Sequence, residues 1–214
     1  MSCHIDPETH LLTETPHRAS PDSGGVITPE AIVIHYTGGG RAAGSIDWLT
    51  RADDVYVSAH VVMDRDGSIT QLVPFNRRAF HAGRSAWNGR SALNDWSIGI
   101  ELANYGVCLE QPDGSVRAST GAEIARGSAL RAAHKHGGPV VWWERFPEAQ
   151  IDACARLCVA LMRAYPIDLV LGHDDVAPGR KVDPGPAFDL DAFRVRVAVC
   201  GGSCGNARLD ATGL

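Results

Sequence analysis

Three short apolar runs constrain the fold of this chain more than anything else in it: AIVIHYT at residues 31–37, SIGIELAN at 97–104 and DLVLGH at 168–173. Runs this short and this rich in apolar residues read as buried strands rather than helices. Each also carries a side chain able to bind a metal or move a proton: His35, Glu101 and His173. A carboxylate inside the run SIGIELAN costs several kcal/mol to desolvate unless it faces a cleft, a cation or a polarised water. Glu101 therefore needs a reason to be there.

The segments between the runs supply the other layers. GGG at 38–40 ends the first strand, and a helix is expected over SIDWLTR. YVSAHVVMDRDGSITQLVP alternates apolar and polar residues on both sides of an Asp-Gly step, which predicts two antiparallel strands joined by a tight turn. FHAGRSAWNGRSALNDW is irregular. The Ala-rich AEIARGSALRAAHKHGG reads as helical, and its His134 and His136, like VVWWERF beyond it, read as exposed helix-end and lid packing. PEAQIDACARLCVALMRAYP is an amphipathic helix with Pro147 in its first turn and Pro166 at its stop, and DLDAFRVRVAV is a last helix. Strands and helices interleave without strict βαβ regularity, so the expected fold is α/β: a single domain with a mixed central β-sheet flanked by helices. Its expected limits are an extended arm over 1–29, the domain over 30–199 with an insertion at about 105–147, and a tail over 200–214.

Composition excludes several functions. With 214 residues and 44% hydrophobic content the chain can bury a full core. A net charge of −5 and no run of Lys or Arg offer no basic field for nucleic acid or an anionic membrane surface. No apolar stretch is long enough to span a bilayer, and the opening MSCHIDPETHLL lacks the basic head and apolar run of a secretory signal, so a cytoplasmic, monomeric protein is expected. Of the 6 Cys, Cys154 and Cys158 lie one helical turn apart and read as buried free thiols, while Cys200 and Cys204 could close a small loop. None has the CxxC spacing of a zinc or redox motif, and none sits in an activating context for a nucleophile.

The stretch GHDDVAPGRKVDPGPAF at 172–188 adds Asp183 to His35 and His173, all at or just beyond the carboxyl end of a buried strand, where open sheets form ligand crevices. Two His and a carboxylate leave one position open on a tetrahedral Zn²⁺, the pattern of a catalytic site. The competing structural readings are a hydrogen-bonded, half-buried imidazole for His35 and a salt-bridged surface turn in which Asp174 and Asp175 face Arg180 and Lys181.

Five blocks, IVIHYT, VSAHVVMDRDGSITQLVPF, FHAGRSAW, LNDWSIGIELAN and GHDDVAPGRKVDPGPAFD, occur in the order of the zinc-dependent N-acetylmuramoyl-L-alanine amidases of the amidase-2 type, which this sequence resembles through most of 32–189. That family includes cell-wall recycling amidases, phage endolysins and peptidoglycan recognition proteins. The resemblance implies Zn²⁺ on His35, His173 and Asp183, Glu101 as general base and Lys181 beside the developing oxyanion. It implies a peptidoglycan or muropeptide substrate cut between N-acetylmuramic acid and L-Ala, with wall access by lysis or non-classical export if the role is lytic. Tyr36, His60, His81, Trp87, Asn88 and Arg90 are the expected substrate contacts; for His60 and His81 an orienting or core role competes, and for Trp87 rim packing does. The chain departs from relatives that have a Tyr where it has Ala59. It also departs from the recycling enzymes at Tyr56 and Ala92, where those carry arginines for a diaminopimelate carboxylate. The alternative reading is a non-catalytic peptidoglycan-binding module.

Overall fold

The computed structural model describes residues 3–202; the Cys200–Cys204 loop expected from the sequence extends outside them. Along the chain come β1 (Ser23–Val26), β2 (Ala31–Tyr36), α1 (Ala42–Leu49), β3 (Val61–Met63), β4 (Ile69–Gln71), β5 (Arg77–Ala79), β6 (Ala86–Trp87) and β7 (Arg90–Ser91). They are followed by β8 (Ser97–Leu102), β9 (Val107–Glu110), β10 (Val116–Ala118), β11 (Ala129–Ala132), β12 (Val141–Glu144), α2 (Glu148–Ala164), β13 (Leu169–Gly172), α3 (His173–Val176) and α4 (Leu190–Gly202).

The three apolar runs are three neighbouring strands, from the edge strand β13 inward through β2 to β8, of a five-stranded sheet in the order β13-β2-β8-β3-β4. β13, β2, β8 and β3 are parallel, and β4 closes the sheet antiparallel to β3. The fold is thus the mixed α/β architecture expected. Period-2 alternation divides each strand between two faces. Ile32 and Ile34 of β2, with Ile98, Ile100 and Leu102 of β8, pack against Leu157, Leu161 and Phe193 of α2 and α4. The other face of β2 carries Ala31 and Val33, packed with Leu93, Trp96 and Leu171, and then His35. On β8 that same face reads Ser97, Gly99, Glu101. His35 and Glu101 are Cα partners across the β2–β8 ladder, so the register sets imidazole and carboxylate side by side.

Four local expectations are corrected. The Ala-rich segment is not helical: a single 3-10 turn at Arg126–Ser128 leads into β11, which pairs with β12 and places Leu130 opposite Trp143. The whole insertion is a four-stranded antiparallel sheet, β10-β9-β12-β11. Cross-strand packing against the two Trp of β12 outweighs the weak helix preference of scattered alanines. The irregular stretch after β5 contains a β6–β7 hairpin, with Asn88 and Gly89 at φ of 45° and 80° in its turn, the Asn-Gly signal of a tight hairpin. The stretch 172–188, whose Gly and Pro content reads as too high for a helix, opens with one all the same: HDDV, itself free of Gly and Pro, forms the one-turn helix α3, whose Asp175 carboxylate accepts the Gly172 N–H at 2.8 Å. Finally, the N-terminal arm contributes β1, paired with β5.

Candidate metal centre

His35 ends its strand beside the point where β13 gives way to α3, whose first residue is His173. The loop then returns so that the Asp183 carbonyl accepts the Asp174 N–H at 2.7 Å. Gly172 permits this fold-back, since a Cβ there would lie 2.9 Å from Pro184 Cδ and against the Asp174 carboxylate. Arg180 ties the loop to the neighbouring one, donating to the carbonyls of Ala82 at 2.6 Å and Arg84 at 2.8 Å. As a result His35 Nδ1, His173 Nδ1 and Asp183 Oδ2 stand 2.8, 2.9 and 3.1 Å from one another, and all three residues are buried.

This is the one cluster of three such donors among the described residues whose ligand atoms all converge. Two imidazole nitrogens and one carboxylate oxygen this close cannot be held by hydrogen bonds alone, because whichever nitrogens carry protons, at least one of the three contacts sets two lone pairs or two N–H groups against each other. The separations approach the ~3.4 Å edge of a tetrahedron with ~2.1 Å metal–ligand bonds, and the N,N,O donor set suits Zn²⁺. Burial, and then the neighbouring His173, push the His35 imidazole down to about 4, so it is neutral near pH 7, the form that binds metal. Burial works to raise the Asp183 carboxyl, but the neighbouring His173 and His35 imidazoles prevail and hold it well below the usual carboxylate range.

The donors open onto a cleft of about 320 Å³ that Glu101, Lys181 and Tyr36 also line. Glu101 is half-buried, and its Oε2 has no hydrogen-bond partner among the described residues. Burial first, then the Asp183 charge, push its carboxyl up to about 8, while Lys181 pulls it the other way. A buried carboxylate oxygen without a partner, facing a cleft beside three metal-type donors, is what a base awaiting a water or a substrate proton looks like. Tyr36 is raised to about 12 by burial and stays a phenol. Its ring lies against Gly106, where a Cβ would come within 2.6 Å of the ring, so the insertion seats itself on the cleft wall.

The remaining residues proposed as substrate contacts separate. His60 is fully buried, accepts the Gly99 N–H on Nδ1 at 3.0 Å and donates from Nε2 to the Arg77 carbonyl at 2.9 Å. It splices β3 to β8 and does not reach the cleft. His81 lines the cleft floor, but its ring is committed to His35 and Ser97. Trp87 packs on the Leu93–Trp96 cluster, Asn88 makes the hairpin turn, and Arg90 pairs with Glu30 and stacks on Trp96 at 4.2 Å; none of the three lines the cleft. Asp174 and Asp175 do not face Arg180 and Lys181. Lys135 bridges both, at 2.9 and 2.5 Å, and His134 Nε2 stands 3.0 Å from the buried Asp174 carboxylate. His134 and Lys135 are thus a clasp between insertion and metal loop rather than exposed ornament. Sequence reasoning missed this clasp, along with Ser97 and Asn94; only Ser97 had a local signal, the Ser-Gly-Glu alternation on β8.

Residues 26–186 match the family described as N-acetylmuramoyl-L-alanine amidase. The 1,6-anhydro-N-acetylmuramyl-L-alanine amidase AmpD of Escherichia coli (strain K12) is 39% identical over 145 residues, covering 66% of this chain and 59% of that protein. AmpD of Haemophilus influenzae is 32% identical over 210 residues, covering 88% and 95%. The solved complex of E. coli AmiD with anhydro-N-acetylmuramic acid-L-Ala-D-gamma-Glu-L-Lys aligns with a TM-score of 0.58 at 30% identity, over 92% of this chain and 66% of that one. The chain therefore spans less than two thirds of the E. coli AmpD it matches and nearly all of the H. influenzae protein.

Proposed function

The chain belongs to the N-acetylmuramoyl-L-alanine amidase family, and on that premise we propose that it hydrolyses the amide joining N-acetylmuramic acid to L-alanine in peptidoglycan or soluble muropeptides, using Zn²⁺. The observation that carries the reading is the convergence of His35, His173 and Asp183 within 3.1 Å beside a partnerless, proton-hungry Glu101. When bound there, Zn²⁺ supplies a Lewis acid that acidifies water and polarises the scissile carbonyl.

The protein groups divide the rest of the work. Glu101, raised toward neutrality, accepts the proton of the attacking water and returns it to the leaving amine of L-Ala. Lys181, across the cleft, stabilises the charge that develops on the carbonyl oxygen. Tyr36 remains a neutral donor on the wall. With Ala in place of a Tyr at position 59, Glu101 performs the proton transfers alone. No described helix is long and apolar enough to cross a membrane.

The test is mass spectrometry of products from intact sacculi and from purified anhydromuropeptides, with metal content measured in parallel. Release of free L-Ala amino termini by the zinc-loaded protein, and its loss in Glu101→Ala with zinc retained, is the expected result. Zinc-loaded protein that binds murein and frees no amine would establish a binding module instead.

A further inference from the structure

Each candidate ligand imidazole has a second nitrogen, and both second nitrogens are held by one dipeptide. His35 Nε2 lies 3.0 Å from His81 Nδ1, and His173 Nε2 lies 3.3 Å from the Ala82 carbonyl. The carbonyl accepts only, so His173 carries its proton on Nε2 and leaves Nδ1 as a bare lone pair. For His35 the direction is set at the far end of a chain. Ser97 Oγ stands 2.6 Å from the Leu93 carbonyl and 3.4 Å from His81 Nε2. A hydroxyl has one proton, and an oxygen pair 2.6 Å apart requires it between them. Ser97 therefore donates to Leu93 and accepts from His81 Nε2–H. His81 Nδ1 is then an acceptor, His35 donates to it from Nε2, and His35 Nδ1 is the second bare lone pair.

The dipeptide is itself pinned. Asn94 Oδ1 accepts the main-chain N–H of both His81, at 3.1 Å, and Ala82, at 2.8 Å. Arg180 shares the Ala82 carbonyl at 2.6 Å. The His81 ring lies over Gly99, where a Cβ would come 2.7 Å from its Cδ2 and Nδ1. The Ser97, Gly99, Glu101 face of β8 thus serves three functions in sequence: proton acceptor, floor for the ring, and base.

We propose that His81–Ala82 is a positioning element that fixes both imidazoles as Nε2–H tautomers, through Ser97–His81–His35 on one side and Ala82–His173 on the other, so that both Nδ1 lone pairs face the metal. This rests on the metal assignment of His35, His173 and Asp183 made above. It also replaces substrate contact with orientation as the role of His81. Partners of this kind change metal affinity by roughly 10- to 100-fold when removed.

The test uses Co²⁺ in competition with a chelator, and ¹⁵N imidazole spectra of the metal-free full chain. In the wild type, His35 and His173 are expected as Nε2–H tautomers. His81→Phe should weaken Co²⁺ binding by about 10- to 100-fold, alter the Co²⁺ visible spectrum and bring in the Nδ1–H form of His35. His81→Asn, whose Oδ1 can stand where Nδ1 did, should recover most of the affinity. Ser97→Ala, which leaves the core filled, should produce the same tautomer mixing and decides the matter if His81→Phe does not fold. A folded His81→Phe or Ser97→Ala with unchanged Co²⁺ affinity, or a wild-type His35 protonated on Nδ1, overturns the proposal. A wild type that binds no Co²⁺ while showing both Nε2–H tautomers would sink the metal assignment rather than the hydrogen-bond relay.

Discussion

Glu101→Gln should make the metal-free protein more stable while removing its activity, and the size of the gain follows from the site. The Glu101 carboxyl titrates at about 8 in the folded protein against 4.5 for the ordinary side chain, chiefly because burial disfavours its charge. Below pH 4.5 the group is protonated in both folded and unfolded chains and nothing is lost. Between 4.5 and 8 the folded protein keeps a proton that the unfolded chain releases, so stability declines as pH rises, by at most about 1.4 kcal/mol per pH unit. Above 8 the folded protein bears the full cost of the buried charge, about 5 kcal/mol for the rise from 4.5 to about 8. Glutamine has the same shape and no charge. Urea unfolding in the presence of a chelator should therefore show the variant more stable by a few kcal/mol at pH 9, with the difference shrinking toward zero at pH 5. Turnover of the zinc-loaded variant should fall by at least about 10²–10⁴-fold, the usual contribution of a general base, with zinc content unchanged. A stability difference that does not depend on pH, or a variant that keeps its turnover, would refute the claim that Glu101 is a destabilising group retained for proton transfer.

Lys181→Met should lower kcat by about 10²-fold, near ~3 kcal/mol of barrier for one lost oxyanion partner, with Co²⁺ affinity unchanged; a change confined to KM would contradict that role. His60→Ala should destabilise the protein by about 2–4 kcal/mol, because it opens a cavity and leaves the buried Gly99 N–H without its acceptor; denaturant midpoints with and without chelator measure it. In the Glu101→Gln background, where the opposing titration of Glu101 is removed, the metal-free protein should lose stability as pH falls from about 6.5 toward 4. His35 and His60 titrate at about 4 when folded, and His81 is also pushed well down, mainly by burial, so the unfolded chain takes up protons first. A flat midpoint between pH 7 and pH 5 would show that these imidazoles are not held neutral.

What was legible in the sequence and what was not separate along physical lines. The three apolar strands and the candidate ligands near their ends were readable because burial on both faces leaves a continuous apolar run, and a polar residue inside it stands out against its neighbours. His35, Glu101 and His173 stood out in this way, and the structure sets the first two on the adjacent strands β2 and β8 and the third at the start of α3, directly after β13. The Ala-rich insertion was misread because its local preference is weak and its pairing with Trp142 and Trp143 is made at a distance. Asn88, expected at the substrate, sits in the β6–β7 turn, and an Asn-Gly turn and a polar groove residue look alike when the flanking strands are only two residues long.

The histidines show the deeper limit. His60 and His81 are both buried, and they part by what their ring nitrogens meet, a main-chain N–H and carbonyl for one, an imidazole and a hydroxyl for the other. That difference is set by the parallel pairing of β3 with β8 and by the return of the loop before Asn94, both of which join residues far apart in the chain. The same holds for the Lys135 clasp on Asp174, 39 residues distant by their numbers. Side-chain identity marks where chemistry is available, whereas the proton positions that make it usable are fixed by long-range contacts. The carriers of those contacts, Ser97, Gly99, Asn94 and Ala82, lie inside the family's blocks but have no side chain that marks them for metal or proton chemistry.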